Sequence, residues 1–96
     1  MIKHIVIFKS SDENKITIID QLKRDLEKLP ENIKEIKYFE TGLNISKSKN
    51  AYDLVLISEF ESEKTLEKYR IHPDHQKIID YILENKIDVR VVDYNF

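Results

Sequence analysis

The stretch Ile2 to Lys9, I-K-H-I-V-I-F-K, constrains this chain most, because it alternates like a strand yet is apolar on both sides. Ile2, His4, Val6 and Phe8 share one face, and Ile5 and Ile7 share the other. Tyr52 to Phe60 repeats the pattern. Tyr52, Leu54, Leu56 and Phe60 lie with Ser58, while Val55 and Ile57 lie with Asp53 and Glu59. A strand that is apolar on both faces must be covered on both.

The segments between these strands can cover only one side. Ser10, Ser11 and Asp12 offer N-caps for a helix to about Leu29, with Ile16, Ile19, Leu22, Leu26 and Leu29 on its apolar stripe. Pro30 is expected to stop it. A second strand is expected from Ile33 to Thr41, with Gly42 marking a bulge or bend. Ser46 to Asn50 reads as a polar turn. Ser62 caps a short helix to about Arg70, with Leu66 and Tyr69 inward. Pro73 opens a third helix to about Asn85, carrying Ile78, Ile79, Ile82 and Leu83 on one stripe. Asp88 to Phe96 closes the chain as a strand in which Val89, Val91 and Asp93 alternate with Arg90, Val92 and Tyr94.

The order β-α-β-β-α-α-β predicts an α+β, ferredoxin-like antiparallel sheet of four strands with helices on one face, one domain spanning 1–96. The helices are expected to cover Ile5, Ile7, Val55 and Ile57. Val6, Phe8, Tyr52, Leu54, Leu56, Val89 and Val91 would then be bare. A bare apolar sheet face of that size calls for a second copy, giving a homodimer whose sheets enclose an inter-sheet cavity.

Composition removes several classes of function. With 16 basic and 18 acidic residues the net charge is −2, which argues against non-specific binding to nucleic acid or a membrane surface. The absence of Cys excludes disulfides, thiol catalysis and Cys-based zinc sites. No apolar run approaches the roughly 20 residues that cross a bilayer, and Met1 to Lys9 is too short for a signal peptide, so a cytoplasmic domain is expected. A single Gly leaves no Gly-rich phosphate loop. Fifteen Ile read as codon drift, but they place stiff, sheet-favouring side chains on the strands.

Few groups could carry chemistry. His4 reads either as a buried His satisfied by a backbone carbonyl or as a polar group lining the cavity. His72, Asp74 and His75 flank Pro73, and capping explains much of that cluster. A metal would lack a convincing third or fourth ligand, so no metal is expected. Tyr69 and His75 on either side of the helix break could instead form an acid and base pair. Asp93, on the same face as Val89 and Val91, is costly unless paired, and His75 or His4 would be its partner. The plainer reading has it solvated at the cavity rim.

Several stretches together have a family look: Ile2 to Lys9, Phe39 to Ser46, Tyr52-Asp53-Leu54, Phe60-Glu61-Ser62, Tyr69-Arg70-Ile71-His72-Pro73-Asp74-His75 and Val91-Val92-Asp93-Tyr94. In this order they resemble the stress-responsive dimeric α/β-barrel (Dabb) family over nearly the whole chain. The resemblance implies a ferredoxin-like protomer and a homodimer whose sheets close into a barrel. Many bacterial members look like single-domain proteins of unassigned role, and one plant branch is a polyketide cyclase acting by aldol condensation. By that resemblance His75 and Tyr69 match the cyclase's catalytic pair, His4 lines the pocket, and Asp93 supports the His. Leu54 departs from the pattern, standing where the cyclase has a second pocket His.

The expected function is a small homodimeric stress-response protein that binds an apolar or aromatic molecule, with no cofactor. The ligand would be lined by His4, Val6, Phe8, Tyr52, Leu54, Leu56 and His72. The alternatives are a cyclase or cofactor-free monooxygenase-like enzyme using His75, Tyr69 and Asp93, and a purely structural stress protein with no site.

Overall fold

A computed structural model describes all 96 residues. Its elements are β1 (Ile2–Lys9), α1 (Lys15–Asn32), β2 (Tyr38–Leu43), β3 (Leu54–Phe60), α2 (Glu63–Arg70), α3 (Pro73–Glu84) and β4 (Asp88–Asn95). The strands form one sheet in the order β2-β3-β1-β4, and every neighbouring pair is antiparallel. This is the expected ferredoxin-like arrangement, with β1 central and β4 an edge.

The face that the helices take is the reverse of the expectation. Buried positions on β1 are Ile2, His4, Val6 and Phe8, and on β3 they are Leu54, Leu56, Ser58 and Phe60. These pack with Ile19, Leu22, Leu26 and Leu29 of α1, Leu66 and Tyr69 of α2, and Ile78 and Ile82 of α3. The open face is formed by Ile5, Ile7, Val55, Ile57 and Val92, which the register aligns across three strands. Charge decides the choice. Lys3, Lys9, Glu59 and Arg90 share the parity of Ile5 and Ile7, and burying these charges beneath helices would cost several kcal/mol each. The covered face of β1 and β3 carries only His4 and Ser58 as polar residues, and both are hydrogen-bonded.

Other departures are local. Pro30 lies within the last turn of α1, which runs on to Asn32 and closes with an Ile33 N–H bond to the Leu29 carbonyl. So near the end a proline forfeits a single helical bond. Strand β2 begins at Tyr38, and Ile33, expected in that strand, instead anchors the preceding loop in the core. Gly42 pairs with Val55 without a bulge. A Cβ there would lie 3.4 Å from Val55 Cγ1, an ordinary van der Waals contact, so the strand does not need glycine's freedom at this position. Ile16 and Leu83, expected inward, are exposed.

Helix α2 starts as its sequence dictates. The Ser62 hydroxyl accepts from the Thr65 N–H and Thr65 Oγ1 accepts from the Ser62 N–H, a reciprocal capping box. That cap fixes the entry of the helix delivering Tyr69 and Arg70. Pro73 then opens α3 behind His72, whose ring Nδ1 accepts from the Asp74 N–H as its N-cap.

Candidate functional site

Between the sheet and the helices lies a cavity of about 430 Å³, within the range of small-molecule sites. Strand β1 supplies His4, Val6 and Phe8, β3 supplies Leu56, and α1 supplies Leu26. Helix α3 supplies Ile78, Ile79 and Ile82, and β4 supplies Val89 and Val91. Ten of the fourteen lining residues are hydrophobic; the others are His4, Arg70, His75 and Gln76. This cavity lies inside one protomer, on the helix side of the sheet, and His4, Val6, Phe8, Leu56, Val89 and Val91, expected to face the space between two sheets, line it instead. It opens beside the edge strand β4, where Val91 is 50% exposed.

The polar groups gather at one end. Tyr69 is central: its ring centroid lies 4.6 Å from that of His75, 6.0 Å from His4 and 4.9 Å from Phe60. Every fully buried side-chain N or O atom in the protein has a partner. The Tyr69 hydroxyl makes no hydrogen bond within the chain, so it reaches the cavity it lines. Burial pushes the phenol well above its ordinary range, so it stays a proton donor at neutral pH.

His75 sits in the first turn of α3, and its Nδ1 is 3.0 Å from the Arg70 carbonyl. A carbonyl only accepts, so Nδ1 carries the proton and Nε2 is the basic nitrogen of the neutral ring. Desolvation holds His75 below the usual imidazole value; the Arg70 carbonyl opposes this, and His4, Arg70 and His72 add weaker like-charge pushes. The ring is thus a neutral base at physiological pH.

Of the two imidazoles open to it, Asp93 pairs with His4, whereas the family resemblance implied support of His75. Its Oδ1 bonds to His4 Nδ1, directly across the β1–β4 register, and its Oδ2 lies 2.8 Å from an Arg70 guanidinium nitrogen. Strand pairing places Asp93 opposite His4, whereas the His75 Nδ1 is turned to main chain. The carboxylate so fixes the His4 tautomer. Arg70 and Gln76, which sequence reasoning passed over, join the site because α2 ends there. Gln76 Nε2 donates to the same Arg70 carbonyl at 2.9 Å.

Of the residues expected to line the site, His4, Val6, Phe8, Leu56, Tyr69 and His75 do so. Tyr52, Leu54 and His72 do not. Leu54 is packed into the core, 1% exposed. Tyr52 turns its hydroxyl to Asp88 and Arg90 at the other end of β4. His72 is consumed as the α3 cap. No group of three or more His, Cys, Asp or Glu is arranged to hold a metal.

Sheet order, helix placement and a pocket on the helix side define a ferredoxin-like domain with a small-molecule-sized cavity. Residues 2–96 match the Stress responsive A/B Barrel Domain, and the chain belongs to that family. A stress-response A/B barrel domain-containing protein of Arabidopsis thaliana is 30% identical over 95 residues, covering 98% of this chain but 36% of that protein. The chain thus spans about a third of the length of that relative. A dimeric protein of unknown function and ferredoxin-like fold from Bacteroides fragilis is 32% identical with a TM-score of 0.88, covering 99% of this chain and 95% of its own. A dimeric ferredoxin-like protein of unknown function from Thermobifida fusca is 26% identical with a TM-score of 0.85, covering 99% and 90%. No helix is long and apolar enough to cross a membrane.

Proposed function

We propose that the protein is a homodimeric stress-response A/B barrel protein whose protomers each bind a small apolar or aromatic molecule in the helix-side cavity. The observation that carries this reading is the cavity itself: about 430 Å³, apolar along its length, with an imidazole pair and a phenol at one end. Such a pocket suits a ligand with a hydrophobic body and one polar terminus. The dimer is supported by the two similar proteins described as dimeric and by the apolar face of Ile5, Ile7, Val55, Ile57 and Val92 that the helices leave open. Two such faces would pack into a barrel.

Native mass spectrometry with a panel of alkyl-substituted phenols tests the pocket. One molecule per protomer is expected on the wild type, lost in Val91→Trp, where an aromatic side chain suited to an edge strand fills the mouth. Wild-type protein that retains none of the panel at millimolar concentration contradicts the reading.

A second reading, acid–base chemistry on an enolisable carbonyl compound, is favoured by one observation. His75 Nε2 is a basic nitrogen beside a phenol held protonated. His75 would remove a proton α to the carbonyl while Tyr69 donates a hydrogen bond to the developing enolate oxygen. Deuterium exchange into an alkyl 1,3-diketone, followed by NMR, should be accelerated by wild type and not by His75→Gln. Equal exchange with both proteins removes this reading.

A further inference from the structure

The two imidazoles of the cavity come from opposite sides of the fold, His4 from β1 and His75 from α3, yet one residue between them touches the support of both. Arg70 is the last residue of α2. Its guanidinium lies 2.8 Å from Asp93 Oδ2 while the other oxygen of that carboxylate bonds to His4. Glu67, one turn back on α2, forms an exposed ion pair at 3.6 Å with the other terminal nitrogen. Asp93 sits on an edge strand with its side chain 27% exposed. Without Arg70 its carboxylate would be free to turn toward solvent.

The backbone of the same residue does the other half. An α-helical carbonyl at position 70 would normally accept from the N–H of residue 74. Here Pro73 starts a new helix and the Asp74 N–H bonds to the His72 ring. The Arg70 carbonyl is therefore available to side chains, and it accepts from His75 Nδ1–H and Gln76 Nε2–H.

We propose that Arg70 is the positioning residue of this pocket: its guanidinium holds Asp93 on His4, and its main-chain carbonyl holds His75. Both rings then keep Nδ1 occupied and offer Nε2 to a bound molecule. A carboxylate pinned at both oxygens sets the His4 tautomer more firmly than one hydrogen bond from a mobile side chain. The inference rests on the cavity being the ligand site, but the orientation of the rings is a property of the empty protein and can be measured there.

The experiment records long-range imidazole ¹⁵N–¹H spectra of ligand-free wild type, Arg70→Gln and Arg70→Lys at about pH 8, where ordinary imidazoles are neutral. Arg70 is a half-exposed surface side chain, so both variants should fold. In the wild type, His4 and His75 should each give a single Nδ1–H tautomer. Arg70→Gln should convert His4 to a mixture with the Nε2–H form and leave His75 unchanged, because the carbonyl remains. Arg70→Lys should restore most of the wild-type His4 pattern, which a merely structural role would not predict. A His4 spectrum in Arg70→Gln indistinguishable from wild type overturns the proposal, since Asp93 would then hold the ring unaided. A failure of every phenol to bind would leave these tautomers as they are, so the two readings fail separately.

Discussion

Asp93 on β4 stands directly opposite His4 on β1, and its Oδ1 accepts the proton of His4 Nδ1. One strand pairing thus turns an edge carboxylate into the support of an imidazole that is 6% exposed. Removing the carboxylate leaves the buried ring nitrogen without its partner. Asp93→Ala should therefore lower stability by about 1–3 kcal/mol, and Asp93→Asn, which retains an acceptor, by less. Urea unfolding midpoints check the order; equal losses would mean that the hydrogen bond to His4 contributes little.

Burial of His75 makes stability depend on pH. In the unfolded chain the ring takes up a proton near pH ~6.5, whereas in the folded protein desolvation delays uptake to lower pH. The unfolded state therefore binds more protons in that window, and this contribution to stability falls as pH drops below about 6.5 toward the folded value. Unfolding free energies measured from about pH 7.5 to 5 should decline more steeply for wild type than for His75→Gln. Parallel curves would show that the folded environment leaves His75 unaltered.

Tyr69 combines packing and chemistry, and two substitutions separate them. The side chain is 1% exposed among Phe60, His4 and His75. Tyr69→Ala should cost about 3–5 kcal/mol, as truncation of a buried aromatic residue does. Tyr69→Phe should cost less than about 1.5 kcal/mol, since a nearly volume-conserving change breaks no hydrogen bond in the chain. Denaturant unfolding gives both values. A large loss for Phe would reveal a bond from the hydroxyl that the apo fold depends on.

The open sheet face gives a prediction about assembly. Ile57 pairs with Ile5 near its centre. A carboxylate placed there would be buried and unpaired if two sheets pack together. Ile57→Asp should sediment as a folded monomer where wild type sediments as a dimer, while Ile16→Asp, on the exposed start of α1, should leave the dimer intact. A dimeric Ile57→Asp would place the contact elsewhere.

Strand periodicity was enough to read the element order, the antiparallel ferredoxin-like sheet and the membership of β1 and β3. Which face the helices take was harder, because Val6 and Ile7 are equally apolar and alternation does not label sides. The discriminating signal lay in the flanks: Lys3, Lys9 and Glu59 mark the side that cannot be buried under helices. The Tyr69–His75 pairing was legible because a proline between them forces a break and a turn. The Asp93–His4 contact needed the β4 register, which sequence leaves undetermined, so both His remained open as its partner. Arg70 could not have been found from residue type, since its role depends on a carbonyl released where one helix ends and the next begins.

A ligand site on the helix side of the sheet, within one protomer, differs from one between two sheets in the isoleucines it touches. Ile78, Ile79 and Ile82 line the cavity, whereas Ile5, Ile7 and Ile57 form the open face. The most direct measurement is a titration of Ile δ1-¹³C-methyl-labelled protein with 4-propylphenol, followed by NMR. The three cavity methyls should shift together and saturate while Ile5, Ile7 and Ile57 stay in place. Shifts confined to Ile5, Ile7 and Ile57 would put the site between the sheets and contradict the helix-side location.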